Sequence, residues 1–184
     1  MLVFKPRLFV VILLSICALP TVVVADNYLG LAVGQTDTNL VQNGSDVTRD
    51  GTSLEIRAGR SLFDIFALEV GYVDFGDMEF AEGLAEAEIS GDAYELALVA
   101  HYPASETLKL IASIGVSDWE SSFGGAGYDN TYSDNGTDLV LGVGLNYRLS
   151  EKFSLDLRYK DYDIGALDED LGMDSISIGI KLSF

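Results

Sequence analysis

The 184-residue sequence predicts an all-β fold, an eight-stranded antiparallel, up-and-down transmembrane β-barrel. Three observations predict it. Apolar and small or polar residues alternate with a period of two in eight stretches of about ten residues each, and none of these sustains helical spacing. The connections alternate between short and long, as they do where tight turns lie on one side of a membrane and loops on the other. Finally, one face of every stretch carries no charge.

The first stretch, 27–35, sets Leu29, Leu31 and Val33 against Gly30, Ala32 and Gly34. The second, 52–60, sets Leu54, Ile56 and Ala58 against Glu55 and Arg57, and the third, 66–75, sets Leu68, Val70 and Tyr72 against Glu69 and Gly71. In 93–102, Tyr94, Leu96 and Leu98 oppose Glu95 and Ala97; in 108–117, Leu110, Ala112 and Ile114 oppose Lys109 and Ser113. The sixth, 138–148, alternates Leu139, Leu141, Val143 and Leu145 with Gly142, Gly144 and Asn146. Leu155 and Leu157 alternate with Asp156, Arg158 and Lys160 in 153–161, and Ile176, Ile178, Ile180 and Leu182 with Ser177, Gly179 and Lys181 in 174–184. The short connections are 61–65, 103–107 and 149–152; the long ones are 36–51, 76–92, 118–137 and 162–173. Within the second long connection, Phe80 to Ile89 has apolar spacing that suits either a short amphipathic turn against the rim or a disordered loop.

The uncharged face is the one expected to meet lipid. The other face suits a narrow lumen, where small residues make room and charges must neutralise one another. Four acids (Glu55, Glu69, Glu95, Asp156) and five bases (Arg57, Lys109, Arg158, Lys160, Lys181) nearly balance there, and they are expected to form a lumen ion-pair network with a structural or gating role. A soluble barrel with the leucine-rich face inside would not need eight uncharged faces, nor aromatic residues gathered at both strand ends. Tyr28, Phe66, Tyr102, Tyr147, Phe153 and Phe184 are expected in a turn-side girdle, and Tyr72, Phe75, Tyr94, Trp119 and Tyr159 in a loop-side one.

Residues 1–25 read as an N-terminal signal peptide, with Lys5 and Arg7 before the apolar run 8–20 and small residues up to Ala25. Cleavage there would leave the barrel domain, 26–184, as the exported chain. Cys17, the single cysteine, lies inside the signal, and Ile16 before it does not suit lipidation. Eleven Lys and Arg against 29 Asp and Glu give a net charge of −18, which excludes a nucleic-acid partner.

The last residues, Ser177 to Phe184, resemble the C-terminal signal read by the outer-membrane assembly machinery, with Ser177, Gly179, Leu182 and Phe184 as its marks. The stretches 60–76 and 142–150 resemble hairpins of the OmpA-like outer-membrane β-barrel family. That resemblance implies an eight-stranded outer-membrane barrel whose lumen is blocked by ion pairs. The peptidoglycan-binding domain of longer members is not expected here, nor is a wall-anchoring role.

No enzyme site is expected. The one histidine, His101, ends a strand on the turn side, away from any nucleophile near the outer leaflet. No calcium-loop pattern is present, so no cofactor or metal is expected. The long connections are rich in acids, with Arg49 as their only base. The expected function is a non-enzymatic, monomeric barrel contributing to envelope integrity and presenting acidic loops for surface interaction or adhesion. A narrow, low-conductance channel gated by the lumen ion pairs is the alternative. Expected partners are outer-membrane lipid, lipopolysaccharide, the assembly machinery and an unidentified surface or host ligand.

Overall fold

A computed structural model describes residues 27–42, 45–82, 85–126, 132–166 and 169–184. The expected signal peptide lies outside them. Eight strands run β1 Asn27–Gln42, β2 Ser45–Ser61, β3 Phe66–Glu82, β4 Ala85–Pro103, β5 Leu108–Ala126, β6 Tyr132–Arg148, β7 Phe153–Ala166 and β8 Glu169–Ser183. Each is hydrogen-bonded to its neighbours in chain order, and β8 returns to β1, so the barrel closes with every pair antiparallel. At the seam, Asn27 and Phe184 exchange backbone hydrogen bonds of 3.0 and 2.9 Å. Closure removes the sheet edges, whose unpaired amides would be intolerable in hydrocarbon.

The turn-side ends fall where the sequence places them. Each short turn is closed by a backbone bond across its base, from Leu62 to Phe66 at 2.8 Å, Ala104 to Leu108 at 2.9 Å and Leu149 to Phe153 at 2.9 Å. In two of the turns a serine repeats the same device. Ser105 Oγ accepts from the amides of Thr107 and Leu108, and Ser150 Oγ from those of Lys152 and Phe153, so a side chain satisfies donors that the turn leaves free.

The loop-side ends differ from expectation. The ladders continue well into all four long connections, and β4 and β5 reach 19 residues each. The stretch expected as an amphipathic turn or a disordered loop is part of this extension, since Glu79 pairs with Glu88 and Phe80 with Ala87 across β3 and β4. Alternation fades there, but the backbone ladders run on, joined by side-chain bonds such as Ser90 to Ser122 at 2.9 Å and Thr137 to Asp118 at 3.1 Å.

Outward residues form a continuous apolar band, in which Leu31, Val33, Ile114, Val143 and Ile178 are roughly half exposed. Phe66, Tyr102, Tyr147, Phe153 and Phe184 rim its turn side, and Tyr72, Tyr94 and Tyr159 its loop side. Three aromatics expected in the girdles instead point inward. Tyr28, Phe75 and Trp119 are all buried, because each shares the parity of its strand's inward positions.

Candidate functional site: the lumen and the outer rim

Inward side chains occupy the lumen at three levels. Nearest the loops, Val73, Phe75, Ala93, Trp119, Val140 and Tyr162 form an apolar cluster. Phe75 meets Tyr162 edge-on at 5.3 Å, and Trp119 Nε1 donates to Asp138 at 2.6 Å. Nearest the turns, Tyr28, Ala67, Ala97, Val99 and Ile111 form a second.

Between them lie the ion pairs. Arg158 grips Glu69 through two nitrogens, at 2.6 and 3.1 Å, and reaches Asp156 at 3.1 Å. Arg57 lies 3.4 Å from Asp156 and 3.6 Å from Glu55. Lys160 bridges Glu55 and Glu95, the latter at 2.6 Å. Neutral groups complete the set: Tyr28 donates to Glu69 at 2.9 Å, Tyr162 to Glu95 at 2.6 Å, and Asn146 to Asp156. Arg57 and Asp156 are each only 1% exposed. That decides against a water column beside them.

Seven of the nine lumen charges named from sequence therefore meet in one bonded cluster. Lys109 and Lys181 do not join it. Lys181 lies over the Tyr28 ring at 4.9 Å, and Lys109 is half-buried near the turn end. Sequence reasoning missed Tyr28 and Tyr162. Strand parity was the available signal, since Tyr162 continues the series of Asp156, Arg158 and Lys160.

In β8, Ser177 and Gly179 face inward. Ser177 Oγ lies 3.5 Å from Glu55, and a Cβ at Gly179 would stand 2.3 Å from the Leu31 carbonyl. Leu182 is half-buried and Phe184 is exposed.

The outer rim is a second feature. Asp50, Asp37, Asp174 and Asp161 stand side by side across β2, β1, β8 and β7. On the far side, a bulge sets Phe75 and Gly76 of β3 opposite Gly91, with Gly76 at φ 73°. It swings Asp77 outward above Asp74, and Asp92 and Glu120 complete a cleft of about 260 Å³. Burial, then Glu120 and Asp74, push the Asp92 carboxyl above its ordinary value of 3.8. Asp37 is raised likewise by desolvation and by its bond to Asp50. Among the described residues no group of three or more acids, histidines or cysteines is placed to hold a metal. The acids Glu79, Glu82, Glu86, Glu88, Asp129, Asp163, Asp168, Glu169 and Asp170, and the base Arg49, lie outside the residues whose side chains are described.

Closed antiparallel strands, a lipid-compatible outer face and a polar interior define an outer-membrane β-barrel. The chain belongs to the outer membrane protein beta-barrel domain family, which it matches over residues 9–184. Among solved structures it resembles Neisserial surface protein A (TM-score 0.68, 15% identity, covering 86% of this chain and 97% of that one). It also resembles Ail, the attachment invasion locus protein of Yersinia pestis, solved with the heparin analogue sucrose octasulfate (TM-score 0.63, 13% identity, 87% and 99% covered). The N-terminal barrel of Pseudomonas aeruginosa OprF is similar at a TM-score of 0.55 and 15% identity, with 84% and 97% covered. At these identities the likeness speaks for the fold. No curated protein matches the sequence.

Proposed function

We propose that this chain is a non-enzymatic structural and interaction protein of the OmpA-like kind, a plugged barrel that presents an acidic rim outside the cell. The observation that carries this is the pairing of a side-chain-filled lumen with an outward belt of carboxylates immediately above the tyrosine girdle. A filled lumen favours a scaffold over a conduit. Among the described residues, no serine or carboxylate is arranged with His101 as a nucleophile and orienting acid would be.

The rim's charge narrows the partner. A sulfated polyanion such as the ligand in the Ail structure would be repelled by this belt, whereas a cationic surface or basic protein segment would be steered toward it. Lipopolysaccharide and lipid contact the band below, and the terminal strand, with Ser177, Gly179, Leu182 and Phe184, engages the assembly machinery.

Cells carrying the barrel should adhere to a cationic surface better than cells lacking it. The triple change Asp74→Asn, Asp92→Asn, Glu120→Gln should remove that gain without altering the heat-modifiable gel mobility of the folded barrel. Equal adhesion by both forms sinks the interaction reading. For the alternative of a gated channel, planar-bilayer recordings should show no stable openings of the wild type; openings altered by a substitution at Glu55 or Arg158 would favour the pore.

A further inference from the structure

The carboxylates of the lumen are already engaged. Arg158 and Tyr28 take both oxygens of Glu69, and Arg57, Arg158 and Asn146 surround Asp156. What remains at the turn-side mouth is basic. The Lys181 side chain is buried, 7% exposed, yet among the described residues its ammonium has no carboxylate within ion-pair distance, only the face of Tyr28. On the same ring, His101 packs edge-on at 6.4 Å; it is 9% exposed, and its Nε2 is buried without a hydrogen-bond partner. Lys109 is an electrostatic neighbour of both. Ser154, paired with Lys181 across β7 and β8, brings a hydroxyl to the same level. The turn acids Asp64, Glu106 and Glu151 are exposed and form no ion pair with either lysine.

A buried cation with no direct ion pair, whose nearest opposite charges Asp156 and Glu69 are already bonded to arginines, and a buried nitrogen without a partner each mark room for a further group. Here they converge. We infer that the periplasm-facing mouth of the lumen binds a phosphate-class anion, held between the Lys181 and Lys109 ammonium groups with His101 as its third contact. Such an anion has two sources at this depth, the headgroup of an inner-leaflet phospholipid or a free phosphate in the periplasm.

Because His101 is the only histidine, its imidazole resonances report on the site without ambiguity. The barrel, extracted into a phosphate-free sugar detergent, is titrated with inorganic phosphate, with sodium chloride at matched ionic strength as reference. In a parallel arm, phosphatidylglycerol is added with no free phosphate. A saturable shift of the His101 signals beyond that caused by chloride is expected in at least one arm. A response to phosphate alone identifies a soluble ligand, and a response to the lipid identifies a headgroup.

Lys109→Gln and Lys181→Gln should each weaken binding by about tenfold, the effect of losing one charge-assisted bond, while Lys152→Gln in an exposed turn should not. Should the Lys181 variant fail to fold, the half-buried Lys109 supplies the same test, with folding checked by heat-modifiable mobility. The inference is overturned by a response no larger than that to chloride in both arms, or by one that Lys109→Gln leaves unchanged.

Discussion

At the scale of single residues, Arg158 carries the most. Among the described residues it is the only cation paired with Glu69, and it also holds Asp156, so its removal leaves the buried Glu69 carboxylate with Tyr28 as its one remaining partner while Asp156 keeps Arg57 and Asn146. Arg158→Met should cost about 3–5 kcal/mol in urea unfolding of the refolded barrel. Adding Glu69→Gln should return part of that loss, because a neutral amide needs no counter-charge. Tyr28→Phe removes only the bond to Glu69 and should cost about 1.5–3 kcal/mol in the same assay. The charged members of this cluster were legible in the sequence because buried charge is rare and stands out on a strand's small-residue face. The tyrosines were not, since an aromatic near a strand end suits a membrane girdle and a lumen equally well until its parity is counted.

At the scale of elements, two glycines show how closely the strands fit their contents. A Cβ at Gly59 would meet the Tyr28 ring at 2.1 Å, so Gly59→Ala should displace the tyrosine and cost about 1–3 kcal/mol, an effect that Tyr28→Ala in the same chain should largely cancel. Gly76 sets the bulge in β3 at a φ that other residues resist, with the Thr52 carbonyl 2.3 Å from where a Cβ would lie. Gly76→Ala should therefore cost about 1–3 kcal/mol, and amide exchange should quicken around the cleft first. The turn-side strand ends could be read from sequence to within a residue, because lipid imposes alternation up to the girdle and a polar turn follows. The loop-side ends could not, because β-pairing in water leaves no hydrophobic period to find.

The rim aspartates also give these elements a pH dependence. Asp37 and Asp92 bind protons more tightly in the folded rim than in the unfolded chain, where aspartate titrates near 3.8. The stability they contribute is thus complete below that value and is lost as pH rises through their folded values. The upper ladders should be firmer in mild acid than at neutrality. Carboxyl carbon NMR titrations should place both midpoints above 3.8, and Asp37→Asn should flatten the pH dependence of amide exchange along β1 and β2.

For the whole molecule, closure, the filled lumen and the outward band are one solution to a single constraint, that no backbone or charged group may face hydrocarbon unpaired. The short turns and the apolar band anchor the barrel at a fixed depth. A strand needs only about 9–11 residues to cross the bilayer, yet β4 and β5 run to 19. The surplus, about eight residues rising at roughly 3.3 Å each on a tilt of about 45°, stands about 20 Å clear of the lipid. This makes the barrel a turret whose crown stands clear of the lipid, and under the function proposed above an approaching surface would meet that crown before it met the membrane.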